Sequence, residues 1–366
     1  LKTSIKTIAF HLPQFHPIPE NDQWWGKGFT DWTNVVKAKP QFEGHYQPHL
    51  PADLGFYDLR VAESREAQAN LARQHGLYGF CYYHYWFEGR RLLERPVNEI
   101  LASGRPDFPF CLCWANETWS RTWLGHESQI LIKQTYSEHD DRVHARWLAN
   151  TFLDHRYIRQ NNRPVFLLYG VPRHPNVARF CDILREASRE AGDENPYLIG
   201  VDSLCSWQDT RKYGFDTTLH FEPQLSIFPD LFVDRWMLRR WIRNSRMGIR
   251  SGHVKVFDYR EGRRRMSGQR ADFPQVPCLL VGWDNTARRG KRGSVLVGNT
   301  PEVFEEELRN ALTVWIASSP QDDLFFINAW NEWAEGNHLE PDLRFGHGYV
   351  DALKRVLGEF ENGRID

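Results

Sequence analysis

Residues 324–342 read LFFINAWNEWAEGNHLEPD. An apolar run ends at Asn331, and two carboxylates, Glu332 and Glu335, then stand either side of Trp333. Paired acids suit one kind of chemistry: one gives a proton while the other takes one or attacks. Indoles beside them suit a sugar, because a flat aromatic face covers the CH surface of a pyranose. On a helical turn, positions i and i+3 share a face, so both acids can bracket one small centre. Burial beside Trp330 and Trp333 would raise the pKa of the acid that donates. The plainer reading is a helix-start cap, where negative charge is favoured. A cap needs neither two acids nor two tryptophans.

Such groups need a frame. Eight short apolar runs recur along the chain, at 7–12, 78–83, 108–115, 164–169, 197–202, 217–221, 277–283 and 324–330. They are apolar on both faces, as buried parallel strands are. Helical patterns fall between them: 59–75 stopping at Gly76, 138–154, 177–191, and 349–360 closing the chain. Thr300 and Pro301 offer an N-cap and a first-turn proline, with Phe304, Leu308, Leu312 and Trp315 following at helical spacing. The pattern predicts an α/β fold, a single (β/α)8 TIM barrel over 1–366, with functional residues at the C-terminal ends of its strands. A doubly wound sheet competes, but no glycine-rich phosphate turn follows any run. Two long excursions, 13–55 and 223–275, are expected to line the active-site face as lids or substrate walls.

The strand ends collect carboxylates, amides, imidazoles and aromatics. Those read as substrate-binding are His11, Gln14, Tyr82, His84, Trp86, Trp114, Asn116, Asp202, Glu222, Trp283, Asp284, Asn331 and Trp333. A nucleotide site would want glycines and lysines there, and a metal site a tighter His/Asp cluster. The mixture fits a polyhydroxylated ligand. Plainer readings stand beside it. His11 and His84 are equally core histidines, Tyr82 to Trp86 are equally core aromatics, and Glu222 equally pairs with an arginine. The basic stretches 260–265 and 288–292 read as solvated loops, with anion binding as the sharper alternative.

Composition sets bounds. A net charge of −1 creates no field that steers the chain to nucleic acid. A mean hydropathy of −0.59 and the lack of a bilayer-length apolar run argue against a membrane span. Six cysteines without disulfide or zinc spacing read as reduced core thiols. Neither metal nor cofactor is expected, and the oligomeric state stays open. The start lacks a signal-peptide pattern, which with the thiols points to the cytoplasm. A leader removed ahead of Leu1 would instead place the protein in the periplasm or outside the cell.

Several long motifs resemble the WbsX-like family of polysaccharide biosynthesis. They are HLPQFHPIPENDQWWGKGFTDWTNV, KPQFEGHYQPHLPADLGFYDLR, GFCYYHYWF, FCLCWANETW, GWDNTARRGKRG and INAWNEWAEGNHLEPD. That family is related to glycoside hydrolase family 99, whose members are barrel-fold endo-α-mannosidases. The relation implies a retaining route in which a glutamate takes the proton of the sugar 2-hydroxyl and O2 attacks C1. A 1,2-anhydro sugar forms, while a second glutamate protonates the leaving oxygen and later activates water. The resemblance puts Glu332 in the first role and Glu335 in the second, with an α-manno- or α-rhamno-configured bacterial polysaccharide as substrate. The residues themselves leave a competitor open: double displacement with Glu117 as acid/base and Glu332 as nucleophile. A glycosyltransferase or transglycosylase of O-antigen-type synthesis is the alternative activity. No Asp-X-Asp motif after a strand supports the nucleotide-sugar version. A non-catalytic glycan-binding barrel is the third class, and it would not need both acids.

Overall fold

The computed structural model describes residues 5–121, 126–203, 208–224, 254–267, 273, 275–318 and 323–363. Eight parallel strands close on themselves: β1 Lys6–His11, β2 Gly79–Phe87, β3 Phe110–Trp114, β4 Arg163–Leu168, β5 Tyr197–Asp202, β6 Thr217–His220, β7 Gln275–Leu280 and β8 Leu324–Asn328. Each pairs with its sequence neighbours in space, and β1 pairs with both β2 and β8. The expected (β/α)8 barrel is therefore the observed one. Strands buried on both faces follow from the apolar runs. Leu324 to Asn328 and Phe110 to Trp114 are buried throughout.

Among the described residues the longer helices are α1 Ala62–Gln74, α2 Arg95–Ser103, α3 Glu138–Phe152, α4 Val177–Glu190, α5 Tyr259–Ser267, α6 Pro301–Ser318 and α7 Gly348–Glu361. Between β5 and β6 the described residues form a short 3-10 turn, Thr210–Tyr213. The Ser137 side chain caps α3 by accepting from the Asp140 N–H. Helix α6 buries Phe304, Leu308, Leu312 and Trp315, the stripe its sequence spacing laid out. Each such side chain contributes about 1.5–3 kcal/mol on burial.

The 13–55 excursion folds into two short helices, Pro19–Trp25 and Trp32–Lys37, joined by loop. Most of the 223–275 excursion lies outside the described residues. Its described part holds α5 and a strand, Lys255–Asp258, parallel to Ser294–Val297. Cys81, Cys111, Cys113, Cys181 and Cys278 are buried free thiols, and Cys205 lies outside the described residues. Among the described residues no helix is long and apolar enough to cross a membrane.

Candidate active site

The strands' C-terminal ends open on a cavity of about 790 Å³. That is the size of a site for a drug-sized or sugar-sized ligand. Gln14, Glu117, Trp283, Glu332 and Glu335 lie on its wall.

The acid pair is carried by a small hairpin. After β8 the chain turns, and Asn331–Glu332 pairs antiparallel with Asn337–His338. A 3-10 turn, Trp333–Glu335, joins the two. Gly336 ends the turn at φ +55°, and a Cβ there would fall 2.8 Å from the Asp284 Cβ. Glycine alone meets both demands without strain. The Asn331 side chain fastens the hairpin to the barrel. It accepts from the Leu12 N–H at 2.7 Å and donates to the Leu12 carbonyl at 3.1 Å. Trp333 is pinned from behind, donating its indole N–H to Glu340 at 2.6 Å. Glu340 also accepts from Tyr57 at 2.8 Å and Gln68 at 2.7 Å, and burial pushes its carboxyl up to about 7.

Arg288 is the cation that meets the acid pair. It donates to Glu335 at 2.6 Å and to Asp31 at 2.6 Å, and stands 3.4 Å from Glu332. Burial pushes the Glu332 carboxyl up to about 8, and repulsion from Glu335 adds to the shift. Burial raises Glu335 too, against the pull of Arg288. Burial also acts against the Arg288 charge, yet Asp31, Glu335 and Glu332 hold its pKa well above the usual range. One guanidinium thus meets three carboxyl groups. The two carboxyls repel each other, so ionising one makes the other harder to ionise. Glu117 lies on the same wall, 2.7 Å from Arg173, and burial raises its carboxyl.

The other rim residues divide by the two-residue period of a strand. β2 runs on to Phe87, so Tyr82, His84 and Trp86 lie within it. Tyr83 and Tyr85 line the cavity. Their neighbours pack outward. His84 meets His144 of α3 at 2.9 Å, Trp86 donates to Asp140 at 3.0 Å, and Tyr82 packs on His11 and Phe110. His11 itself pairs with Gln68 of α1, and burial lowers its pKa to about 3. Trp114 packs against His144 and Phe180. These five side chains belong to the layer between sheet and helices, the plainer reading of His11, Tyr82, His84 and Trp86; Trp114, expected to bind substrate, packs there too.

Four more serve as braces, and a fifth, Asp202, stands at a cleft. Asn116 is fully buried and bonds both the N–H and the carbonyl of Gly170. Asn331 has the role described above. Asp202 borders a separate small cleft. Glu222 pairs with Arg263 and accepts from the Leu280 N–H. Asp284 accepts from Gln47 at 2.6 Å and meets His45 at 2.7 Å. Trp333, only 1% exposed, stacks on His338 and offers no face to a ligand. The expected indole platform beside the acids is therefore not Trp330 or Trp333. Trp25, Trp119 and Trp283 supply indoles to the cavity wall instead.

Two expectations about charge are corrected. Arg263 and Arg288, each in a stretch read as solvated loop, are buried against Glu222 and against the acid cluster. A charge is tolerated there because carboxylates surround it. Their neighbours Arg264 and Arg265 do face solvent. Sequence reading placed Tyr83 and Tyr85 at a strand end but left them out of the binding set, and it missed Tyr169, Asp31, Arg173 and Arg288. The alternation of GFCYYHYWF was the available signal for the first two, had the strand been extended to Phe87.

Residues 7–353 match the family described as Glycosyltransferase WbsX. Two curated relatives, both described as uncharacterized protein WxcX from Xanthomonas campestris pv. campestris strains, are 41% and 40% identical over 352 residues. The match takes in 96% of this chain and 49% of each relative, so the chain spans about half their length. Among solved structures, the family 99 endo-α-mannosidase from Bacteroides thetaiotaomicron superposes with a TM-score of 0.61 at 14% identity, covering 100% of this chain and 99% of that one. A glycoside hydrolase-like protein superposes with a TM-score of 0.60 at 12% identity, covering 97% and 94%. At these identities the likeness is one of fold.

Proposed function

The chain belongs to the WbsX glycosyltransferase family, and from that premise we propose that it is a carbohydrate-active enzyme that cleaves α-manno- or α-rhamno-configured linkages in a polysaccharide, with retention. One observation carries the reading. One buried and one half-buried carboxyl group, Glu332 and Glu335, three residues apart, share one cavity wall and one arginine.

The chemistry balances with those groups alone. Glu332 takes the 2-hydroxyl proton as O2 bonds to C1 and the C1–O bond to the leaving group breaks. Glu335 gives its proton to that leaving oxygen. In the second half Glu335 takes a proton from water, water oxygen bonds to C1, the C1–O2 bond opens, and Glu332 returns the proton to O2. Two inversions give net retention. At rest Arg288 grips Glu335, while Glu332 has the carboxyl raised to about 8. The productive state needs the reverse, Glu332 ionised and Glu335 protonated. Arg288 already reaches toward both, so sliding from one to the other exchanges their roles.

A second reading has its own observation. Glu117 faces the same cavity with a raised carboxyl, as an acid/base partner to a Glu332 nucleophile would. A glycosyl acceptor in place of water turns either mechanism into transfer. The test is incubation with α-mannosides, α-rhamnosides and nucleotide sugars. New reducing ends without nucleotide support cleavage. Product only in the presence of a nucleotide sugar refutes it.

A further inference from the structure

Behind the acid hairpin, away from the main cavity, two imidazoles and a carboxylate converge. His49 Nδ1 lies 3.0 Å from His338 Nε2, and His338 Nε2 lies 3.8 Å from Asp342 Oδ2. The three donor atoms fall within 4.8 Å of one another, and all three residues are buried. His49 also lines an adjoining cavity of about 150 Å³, which gives a small ion a route in.

We propose that His49, His338 and Asp342 bind a divalent transition-metal ion, zinc by its donor set, and that the ion staples the first excursion to the hairpin bearing Glu332 and Glu335. Two nitrogens and a carboxylate oxygen form a three-protein-ligand set of the kind zinc takes. Zinc bonds of about 2.0–2.2 Å bring such donors to roughly 3.3 Å apart, between the two separations found.

The surroundings orient the donors. His338 Nδ1 donates to the Glu340 carbonyl at 2.9 Å. That fixes the tautomer and leaves Nε2 with its lone pair toward His49 and Asp342. Asp342 Oδ1 accepts from the Arg344 and Phe345 N–H groups, which leaves Oδ2, a buried oxygen, on the metal side. The other charged or titratable groups facing the cluster include Arg344, Asp284 and His45, and Tyr46 and Tyr349, whose hydroxyls face Asp342. The Arg344 guanidinium is stacked over the Tyr46 ring.

The staple has a structural target. His338 pairs with Asn331 across the hairpin and stacks on Trp333 at 3.8 Å between ring centroids. An ion held there fixes the turn on which both acids stand. The proposal does not depend on the reaction those acids perform. No sequence motif announces the site, because His49 and His338 are 289 residues apart.

The test uses the purified chain, stripped with a chelator, dialysed and titrated with zinc chloride alone. Bound metal is counted by elemental mass spectrometry, and thermal unfolding is followed. Cobalt is then substituted to give a visible ligand-field spectrum. One zinc per chain and a raised Tm are expected for the wild type. Asp342→Asn and His49→Gln should bind at least about tenfold more weakly. A nearer-surface cluster, His75, His347 and Asp351, serves as the control: His347→Gln should bind zinc as the wild type does. The proposal is overturned if the wild type takes up no zinc. It is equally overturned if cobalt gives only the spectrum of the aquo ion, or if His347→Gln is the variant that loses the metal. The cobalt spectrum of the wild type decides even if a variant fails to fold.

Discussion

Arg288 donates to Glu335 at 2.6 Å while its other terminal nitrogen stands 3.4 Å from Glu332. One guanidinium therefore sets the proton balance of both acids, lowering each pKa against the lift of burial. Replacing Arg288 with Met removes that pull, so both carboxyls rise further. The ascending limb of the kcat/KM–pH profile, where the base ionises, should move to higher pH. Activity at neutral pH should fall by about a hundredfold or more, the usual cost of losing one preorganised charge contact. A profile that keeps its position would show that Arg288 is only a structural ion.

Glu332→Gln and Glu335→Gln each remove a proton carrier and keep the shape. Each should lower kcat by orders of magnitude and leave ligand affinity largely intact. Binding measured by calorimetry beside turnover on the cleaved glycoside separates the two. Full turnover by Glu335→Gln would remove it from the reaction.

Stability carries the same signature. The Glu332 carboxyl is raised to about 8 in the folded chain against an ordinary value of 4.5. The folded state thus holds a proton that the unfolded chain releases. The stability tied to that proton is complete below the ordinary carboxylate value and is lost as pH rises toward 8. Glu332→Gln escapes that loss. Its Tm should match the wild type near pH 4 to 5 and exceed it increasingly toward pH 8, read by thermal unfolding across that range.

Glu117 separates the two mechanisms. If it only grips sugar hydroxyls, Glu117→Gln loses a charge-assisted hydrogen bond of about 1.5–3 kcal/mol. That loss appears mainly in KM. If it is the acid/base, kcat collapses for natural leaving groups and survives for activated aryl glycosides. The first outcome is expected, because Glu117 is held by Arg173 at 2.7 Å.

The barrel was legible because its strands are apolar on both faces, and the position of each run survives any uncertainty about its ends. The acid pair was legible for a related reason: Glu332 and Glu335 lie only three residues apart in sequence and break an apolar run. What lay hidden depends on contacts across the chain. Arg288 looked like one arginine of a solvated stretch, since nothing local says that Asp31 will meet it from 257 residues away. Tyr82, His84 and Trp86 were placed on the rim by ending β2 at Tyr83. The strand in fact continues to Phe87, and each extra residue reverses the side that a side chain faces. Trp333 looked like a sugar platform, but Glu340 and His338 claim its edge and its face.

Gly336 gives the last prediction. It lies at φ +55°, and a methyl group there would meet the Asp284 Cβ at 2.8 Å and the Asp284 backbone nitrogen at 3.2 Å. Asp284 is itself fixed by Gln47, His45 and Thr286, so it has little room to yield. Gly336→Ala should therefore push the Trp333–Glu335 turn rather than Asp284. The backbone N–H of Asp284 bonds the Glu335 carbonyl at 2.5 Å, and that contact is the first to open. A loss of about 1–3 kcal/mol in stability is expected from the conformation and the close contact. The activity loss should exceed what the lower stability explains, because the shift moves Glu335 relative to Arg288 and to the leaving oxygen, and misplacement by an ångström costs about a hundredfold. Denaturant unfolding and kcat measured well below the variant's Tm give the two numbers. A variant that is less stable but fully active would mean that the turn does not position the acid.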